Sequence, residues 1–294
     1  MDWADWTPLP LKTPFTRESL RETLEGGQAF RWRFLEEEAC WQGAWGRFLA
    51  RVKLDQKEQF FYRLPSELAS RGGPQELESY FLSQTDWQAI AGSLPWRSDP
   101  ELEQAINACP GLRLLNQPFS ETLLCFLCSA TKQIPQIKLL CQKLADSLGD
   151  EILPGGPRAL PTWGQLSETS EASLRSLGLG FRAKNIKKTA DAIARDPGIL
   201  QRVENLPYPE AQTALLDFPG VGTKVADCAL LFGARKYDAF PVDTWILKVL
   251  ERRYGLNGWR KDQLEQFGRI HFGPYAGYAQ QYLFARERSQ PHAT

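Results

Sequence analysis

Lys224 follows the turn Pro219-Gly220-Val221-Gly222, and Asp243 ends the segment Phe240-Pro241-Val242-Asp243. An unprotonated amine is a nucleophile, and a carboxylate facing it can stabilise positive charge that develops as it attacks. Lys224 falls in the first turn of a helix starting at Thr223, where the macrodipole disfavours a cation. In the turn itself, Gly220 and Gly222 permit positive φ and let the backbone come close to a ligand. The N–H groups around Val221 point outward at the start of the helix. Such a turn grips a phosphate without reading a base. Each residue also has an ordinary use: a lysine as a surface charge, an aspartate as a helix N-cap, glycines as a plain connection.

The pattern around these residues predicts helices over Pro209–Asp217 and Thr223–Phe232, so the turn is the hairpin of a helix-hairpin-helix unit. Upstream, Ser120 caps a buried helix over residues 121–130, and Pro135 opens another that ends at Gly149. A short helix near 171–177 stops at Gly178-Leu179-Gly180, and a basic amphipathic helix follows from Arg182 to Arg195. Residues 28–64 differ, with aromatic runs such as Ala29-Phe30-Arg31-Trp32 and Gln59-Phe60-Phe61-Tyr62 between polar turns, which predicts an antiparallel sheet. Residues 76–82 and 99–106 return to helical spacing, the latter capped by Asp99. The expected fold is α+β. An N-terminal antiparallel sheet domain with helices spans 1–115, and a mainly helical, two-lobed domain over 116–294 carries the helix-hairpin-helix at about 209–233.

With 294 residues, 43% of them hydrophobic, the chain can bury a sizeable core. No segment reaches the apolar length of a membrane span, and Met1-Asp2-Trp3-Ala4-Asp5-Trp6 lacks a signal-peptide pattern, so a cytoplasmic protein is expected. Six cysteines sit in apolar contexts and read as reduced core residues. Cys125 and Cys128 form a C-x-x-C, but no second pair or spaced histidine completes a metal site, and none is expected. The formal net charge is zero. Cations nevertheless cluster in 182–188 and 248–261, a distribution suited to phosphate contact or to solvated helix faces.

Taken together, Phe218-Pro219-Gly220-Val221-Gly222-Thr223-Lys224-Val225-Ala226-Asp227-Cys228 and Pro241-Val242-Asp243 resemble the 8-oxoguanine DNA glycosylase and abasic-site lyase family of the helix-hairpin-helix superfamily. Gly27-Gln28-Ala29-Phe30-Arg31-Trp32, Leu177-Gly178-Leu179-Gly180-Phe181-Arg182-Ala183 and Gly273-Pro274-Tyr275-Ala276-Gly277-Tyr278-Ala279-Gln280 extend the resemblance over nearly the whole chain. It implies a base-excision repair enzyme acting as a monomer on damaged double-stranded DNA, with nucleoid association in a bacterium. Lys224 would be the Schiff-base nucleophile and Asp243 its carboxylate partner. The implied base pocket comprises the Gly27 carbonyl, Cys228, Gln280 and Phe284. No cofactor is implied beyond a monovalent cation at the hairpin.

On the DNA-binding side, the resemblance implies phosphate contact by Gly220, Val221 and Gly222, an aromatic wedge at Phe181 and a cytosine-reading arginine at Arg182. The chain departs from the family at four positions, the first being Phe181, where a tyrosine wedge is usual. Thr131 stands for an asparagine that contacts the estranged cytosine, Gln136 for an arginine that reads it, and Trp245 for a histidine at the DNA backbone. Lost bidentate and amide contacts weaken discrimination by about 1–3 kcal/mol each, so a relaxed opposite-base preference is expected. The alternatives are a monofunctional glycosylase for alkylated or deaminated purines, against which Lys224 argues, and a catalytically silent damage-binding protein.

Overall fold

The computed structural model describes residues 1–290. Five strands, β1 (Thr7–Pro8), β2 (Trp32–Leu35), β3 (Cys40–Trp45), β4 (Phe48–Leu54) and β5 (Phe60–Arg63), form one antiparallel sheet in the order β1-β5-β4-β3-β2. The register sets Trp32 opposite Gly43. A Cβ at Gly43 would lie 2.2 Å from the Trp32 ring, so only glycine admits that indole. Trp32 then stacks on Trp45 with centroids 5.9 Å apart, and Trp45 on Tyr80 at 4.1 Å. The sheet predicted for 28–64 forms with two differences. It begins at Trp32, and it gains β1, whose two residues are too short and polar for alternation to show.

Nine helices position the site: α1 (Arg17–Glu25), α2 (Phe119–Leu127), α3 (Ile134–Leu148), α4 (Arg182–Arg195), α5 (Tyr208–Leu216), α6 (Thr223–Gly233), α7 (Thr244–Tyr254), α8 (Lys261–Phe272) and α9 (Ala276–Ser289). The helix expected over 121–130 starts two residues earlier and stops sooner. Pro118 precedes it, Ser120 lies inside its first turn and caps nothing, and Thr131 turns the chain with φ +55. The turn that ends at Gly180 is π-type over Arg175–Leu179, with Gly178 at φ +93.

Helix α6 is the spine of the helical lobe. Every residue from Val225 to Gly233 is buried, and Phe232 stacks on Phe126 of α2 with centroids 5.6 Å apart. A helix buried on all sides cannot roll, so the side chains of its first turn are held by the core. Gln28 fastens the sheet lobe beside it. Its amide donates to the Arg113 carbonyl at 2.9 Å and accepts from the Leu115 N–H at 2.9 Å, while Gln117 donates to its carbonyl at 2.7 Å.

Candidate active site and DNA-binding face

Between α5 and α6 the hairpin is seated on α4. Thr189 donates to the Pro219 carbonyl at 3.0 Å. Gly220 has φ +84, and a Cβ there would come within 2.6 Å of the Asn185 amide. Gly222 is different. Its φ of −97° and ψ of 176° suit any residue, and a Cβ would meet nothing within 4 Å. Of the two glycines that permit positive φ, only Gly220 adopts it. Val221 is buried and anchors the turn. Gly222 is the N-cap of α6 and brings no side-chain cap, which leaves first-turn N–H groups open toward solvent.

The lysine and the aspartate arrive from consecutive helix starts. Lys224 Nζ donates to Ser129 Oγ at 3.2 Å and lies 4.9 Å from the centroid of the Phe126 ring. Ser129 gives its own proton to the Phe126 carbonyl at 2.7 Å, so it offers the amine a lone pair. Asp243 is the N-cap of α7, with Oδ1 accepting from the N–H groups of Trp245 and Ile246, both at 2.9 Å. The cap leaves Oδ2 unspent. Burial raises the Asp243 carboxyl above the usual range, opposed by the Ile246 N–H and by the charge of Lys224. Amine and carboxylate are thus charge-coupled, yet among the described residues they form no direct ion pair. Cys228 shares their field, and burial pushes its thiol up to about 12, which keeps it neutral. Ser129 and Phe126 escaped the sequence analysis because neither type signals a contact with an amine so distant in the chain, 95 residues away for Ser129.

Gly27 and Phe284 meet across the junction of the lobes. Gly27 has φ +96, and its missing Cβ would lie 2.8 Å from Ile134 Cδ1 and 4.0 Å from Phe284. Among the described residues no backbone donor reaches the Gly27 carbonyl. Phe284 and Gln280 are one turn apart on α9, both buried. Arg288 lies 5.4 Å over the Phe284 ring and 3.0 Å from Glu22. Ile134, another residue the sequence analysis missed, therefore borders the space between Gly27 and the aromatic ring.

The residues expected to meet the opposite strand are disposed otherwise. Phe181 is 55% exposed. Arg182 is buried: Nε donates to the Ala130 carbonyl at 2.9 Å, Nη2 to the same carbonyl and to Thr131 Oγ1, and Nη1 to the Leu179 carbonyl at 3.3 Å. Gln136 spends its Oε1 on the Gln133 N–H at 3.1 Å in the cap of α3. Trp245 is half-buried, with Lys248 Nζ 5.3 Å over its ring. The basic clusters are also partly self-paired, Lys187 with Asp191 and Arg253 with Glu101 and Glu287.

A sheet lobe clamped to a helical lobe, with a hairpin seating an amine beside a capped carboxylate, defines a helix-hairpin-helix repair fold. Residues 11–123 match the family model for the 8-oxoguanine DNA glycosylase N-terminal domain. Residues 125–270 match that of the HhH-GPD superfamily base excision DNA repair proteins. The 8-oxoguanine glycosylase/lyase of Clostridium acetobutylicum in its apo form superposes with a TM-score of 0.83 and 30% identity, covering 97% of this chain and 99% of that one. The same clostridial protein in complex with DNA containing cytosine opposite 8-oxoguanine gives a TM-score of 0.84 at 30% identity, covering 98% and 99%. A probable N-glycosylase/DNA lyase of Methanothermobacter thermautotrophicus is 39% identical over 42% of this chain, a stretch spanning 39% of that relative's own length. The chain belongs to the 8-oxoguanine DNA glycosylase family of the HhH-GPD superfamily.

Proposed function

We propose that this chain is a bifunctional base-excision repair enzyme that removes 8-oxoguanine from duplex DNA and nicks the strand. The observation that carries the proposal is the Lys224 amine, held by Ser129 at 3.2 Å in the field of Asp243 without being locked to it. With the damaged nucleotide flipped out, the amine lone pair attacks C1′ and the N9–C1′ bond breaks, its electron pair leaving on the base. The Asp243 carboxylate stabilises the cationic sugar in a site that excludes water. Loss of the amine proton and ring opening give an imine; removal of a C2′ proton then expels the 3′ phosphate by β-elimination. Lesion selectivity rests on the Gly27 carbonyl, which pairs with the N7–H of 8-oxoguanine and faces a lone pair in guanine. Gln280 and Phe284 take the base edge and face, and the neutral Cys228 thiol adds no charge of its own.

The opposite-base preference is relaxed, because Thr131 and Gln136 replace amide and guanidinium readers and Arg182 is engaged with carbonyls. The hairpin binds a DNA phosphate and a monovalent cation. Of its carbonyls, Phe218 and Pro219 already accept from Val221 and Thr189, which leaves those of Gly220 and Val221 for the ion. The enzyme acts as a cytoplasmic monomer; no described helix is long and apolar enough to cross a membrane. Borohydride trapping on an 8-oxoguanine duplex tests the chemistry: the wild type gives a covalent adduct, and an adduct persisting in Lys224→Gln overturns the assignment. Cleavage opposite each of the four bases tests the relaxed preference, against which a strong bias for cytosine would count.

A further inference from the structure

At the far end of α6 from Lys224, about 16 Å along the helix at 1.5 Å per residue, a cleft of about 670 Å³ opens to solvent. Arg235, Lys236 and Arg269 line it, with Asp238 as its one acid, and Tyr237 and Tyr275 form an aromatic wall with centroids 5.9 Å apart. Among the described residues, neither Arg235 nor Lys236 has a carboxylate partner, and the Arg269 guanidinium hydrogen-bonds only the Tyr208 hydroxyl, at 3.3 Å. Arg269 also faces the buried acids Asp227 and Glu265 beyond Tyr208, whereas Arg235 and Lys236 side by side at the cleft repel each other, an arrangement that an anion relieves.

A second observation concerns the backbone. Arg235 sits just past the C-cap of α6 with φ +54, where a left-handed residue ends the helix and the Lys236 N–H closes on the Leu230 carbonyl at 3.0 Å. Glycine is the usual occupant of that position because it adopts this conformation without strain. An arginine there carries a strain that its packing does not offset, since its side chain is exposed. Strain retained in a residue that lines a cleft points to use of that residue.

We propose that this cleft is a second ligand site, separate from the lesion pocket, that takes a nucleoside phosphate. The phosphate lies among Arg235, Lys236 and Arg269, and the base lies against Tyr237 and Tyr275. The paired rings with basic neighbours are the elements by which proteins hold a base and its phosphate without reading sequence.

The test is calorimetric titration of the full chain with its hairpin face saturated by a duplex carrying a tetrahydrofuran abasic analogue, so that the lesion pocket is filled. Adenosine monophosphate should bind, ribose 5-phosphate more weakly and inorganic phosphate more weakly still. Arg235→Gly should weaken adenosine monophosphate binding at least tenfold while raising Tm, because glycine relieves the strained φ, and should leave 8-oxoguanine strand cleavage unchanged. Arg269→Gln should weaken binding by a similar factor. Competition by a single-stranded tetranucleotide would assign the phosphate to a DNA strand and its failure to a free nucleotide; both support the site. The proposal is overturned if adenosine monophosphate does not bind the wild type at millimolar concentration. It is equally overturned if Arg235→Gly raises Tm without altering that binding.

Discussion

The lesion side and the opposite-strand side of this molecule treat their polar groups in opposite ways. Around Lys224, groups wait for partners: among the described residues the amine touches one hydroxyl, the Asp243 cap uses one carboxylate oxygen, and the Gly27 carbonyl receives no backbone donor. Around Phe181, the polar groups already have partners: Arg182 saturates the Ala130 and Leu179 carbonyls and reaches Thr131, and Gln136 caps its own helix. A base entering the first region gains hydrogen bonds at little cost. A base read in the second must displace bonds the protein makes to itself, and the exchange leaves little net energy for discrimination. Under the proposed function, this contrast would leave the protein preorganised for chemistry on one strand and weakly selective toward the base on the other.

The largest effect expected on the lesion side comes from Asp243→Asn. Asparagine caps a helix about as well as aspartate, so α7 should persist. Single-turnover cleavage should nevertheless fall by about 10²–10³, the usual loss when a group aimed at developing charge is neutralised. Burial raises the Asp243 carboxyl, with the Ile246 N–H and Lys224 opposing it. The wild type should therefore lose activity on the acid side at a higher pH than an ordinary carboxylate would give, and the variant should lack that limb. Stability moves the other way. With the folded value above the unfolded one, the ionised group costs stability that sets in as pH rises through that interval, so the variant should match the wild type below it and equal or exceed it above. An unchanged acid limb in Asp243→Asn would mean that another group controls the reaction.

Next in size is Arg182→Ala, which probes the opposite-strand side directly. If the guanidinium is a carbonyl clamp, its removal leaves buried acceptors unpaired at a cost of about 1–3 kcal/mol. At about 2–4 °C per kcal/mol for a chain of this size, thermal melting should fall by several degrees. Cleavage should drop by a similar factor opposite all four bases. A loss confined to cytosine would show that Arg182 leaves its carbonyls to read the strand, and would break the contrast between the two sides.

The sequence showed the lesion side more fully than the other, for a physical reason. The start of α6, the cap at Asp243 and the turn at Gly27 follow from local chemistry, such as glycine at positive φ and aspartate before an apolar helix. The clamp at Arg182 depends on where α2 ends, and apolar periodicity running on to residue 130 does not show that the helix stops at Leu127 ahead of the left-handed Thr131. Once α2 stops at Leu127, the Ala130 carbonyl loses its helical partner and needs the guanidinium. Ser129 and Ile134 were not visible for the same reason. Their roles arise from contacts across 95 residues and across the lobe junction, which no local pattern records.

The hairpin repeats the contrast within three residues, and the smallest effect expected comes from there. Gly220→Ala should destabilise the fold, since φ +84 and the Asn185 amide at 2.6 Å both oppose a Cβ. Gly222→Ala should not. Its backbone is extended, the surrounding space is empty, and the entropy gained by removing a glycine from the unfolded chain roughly offsets alanine's poorer capping, to within about 0.5 kcal/mol. If the open space in front of Gly222 is where a phosphate approaches the first-turn N–H groups, a methyl there lengthens those bonds without abolishing them. The expected outcome is binding to an abasic-analogue duplex weakened by about fivefold, close to 1 kcal/mol and part of one hydrogen bond, at unchanged Tm. Unaltered affinity in Gly222→Ala would place the phosphate elsewhere and make Gly220 a glycine of the fold alone.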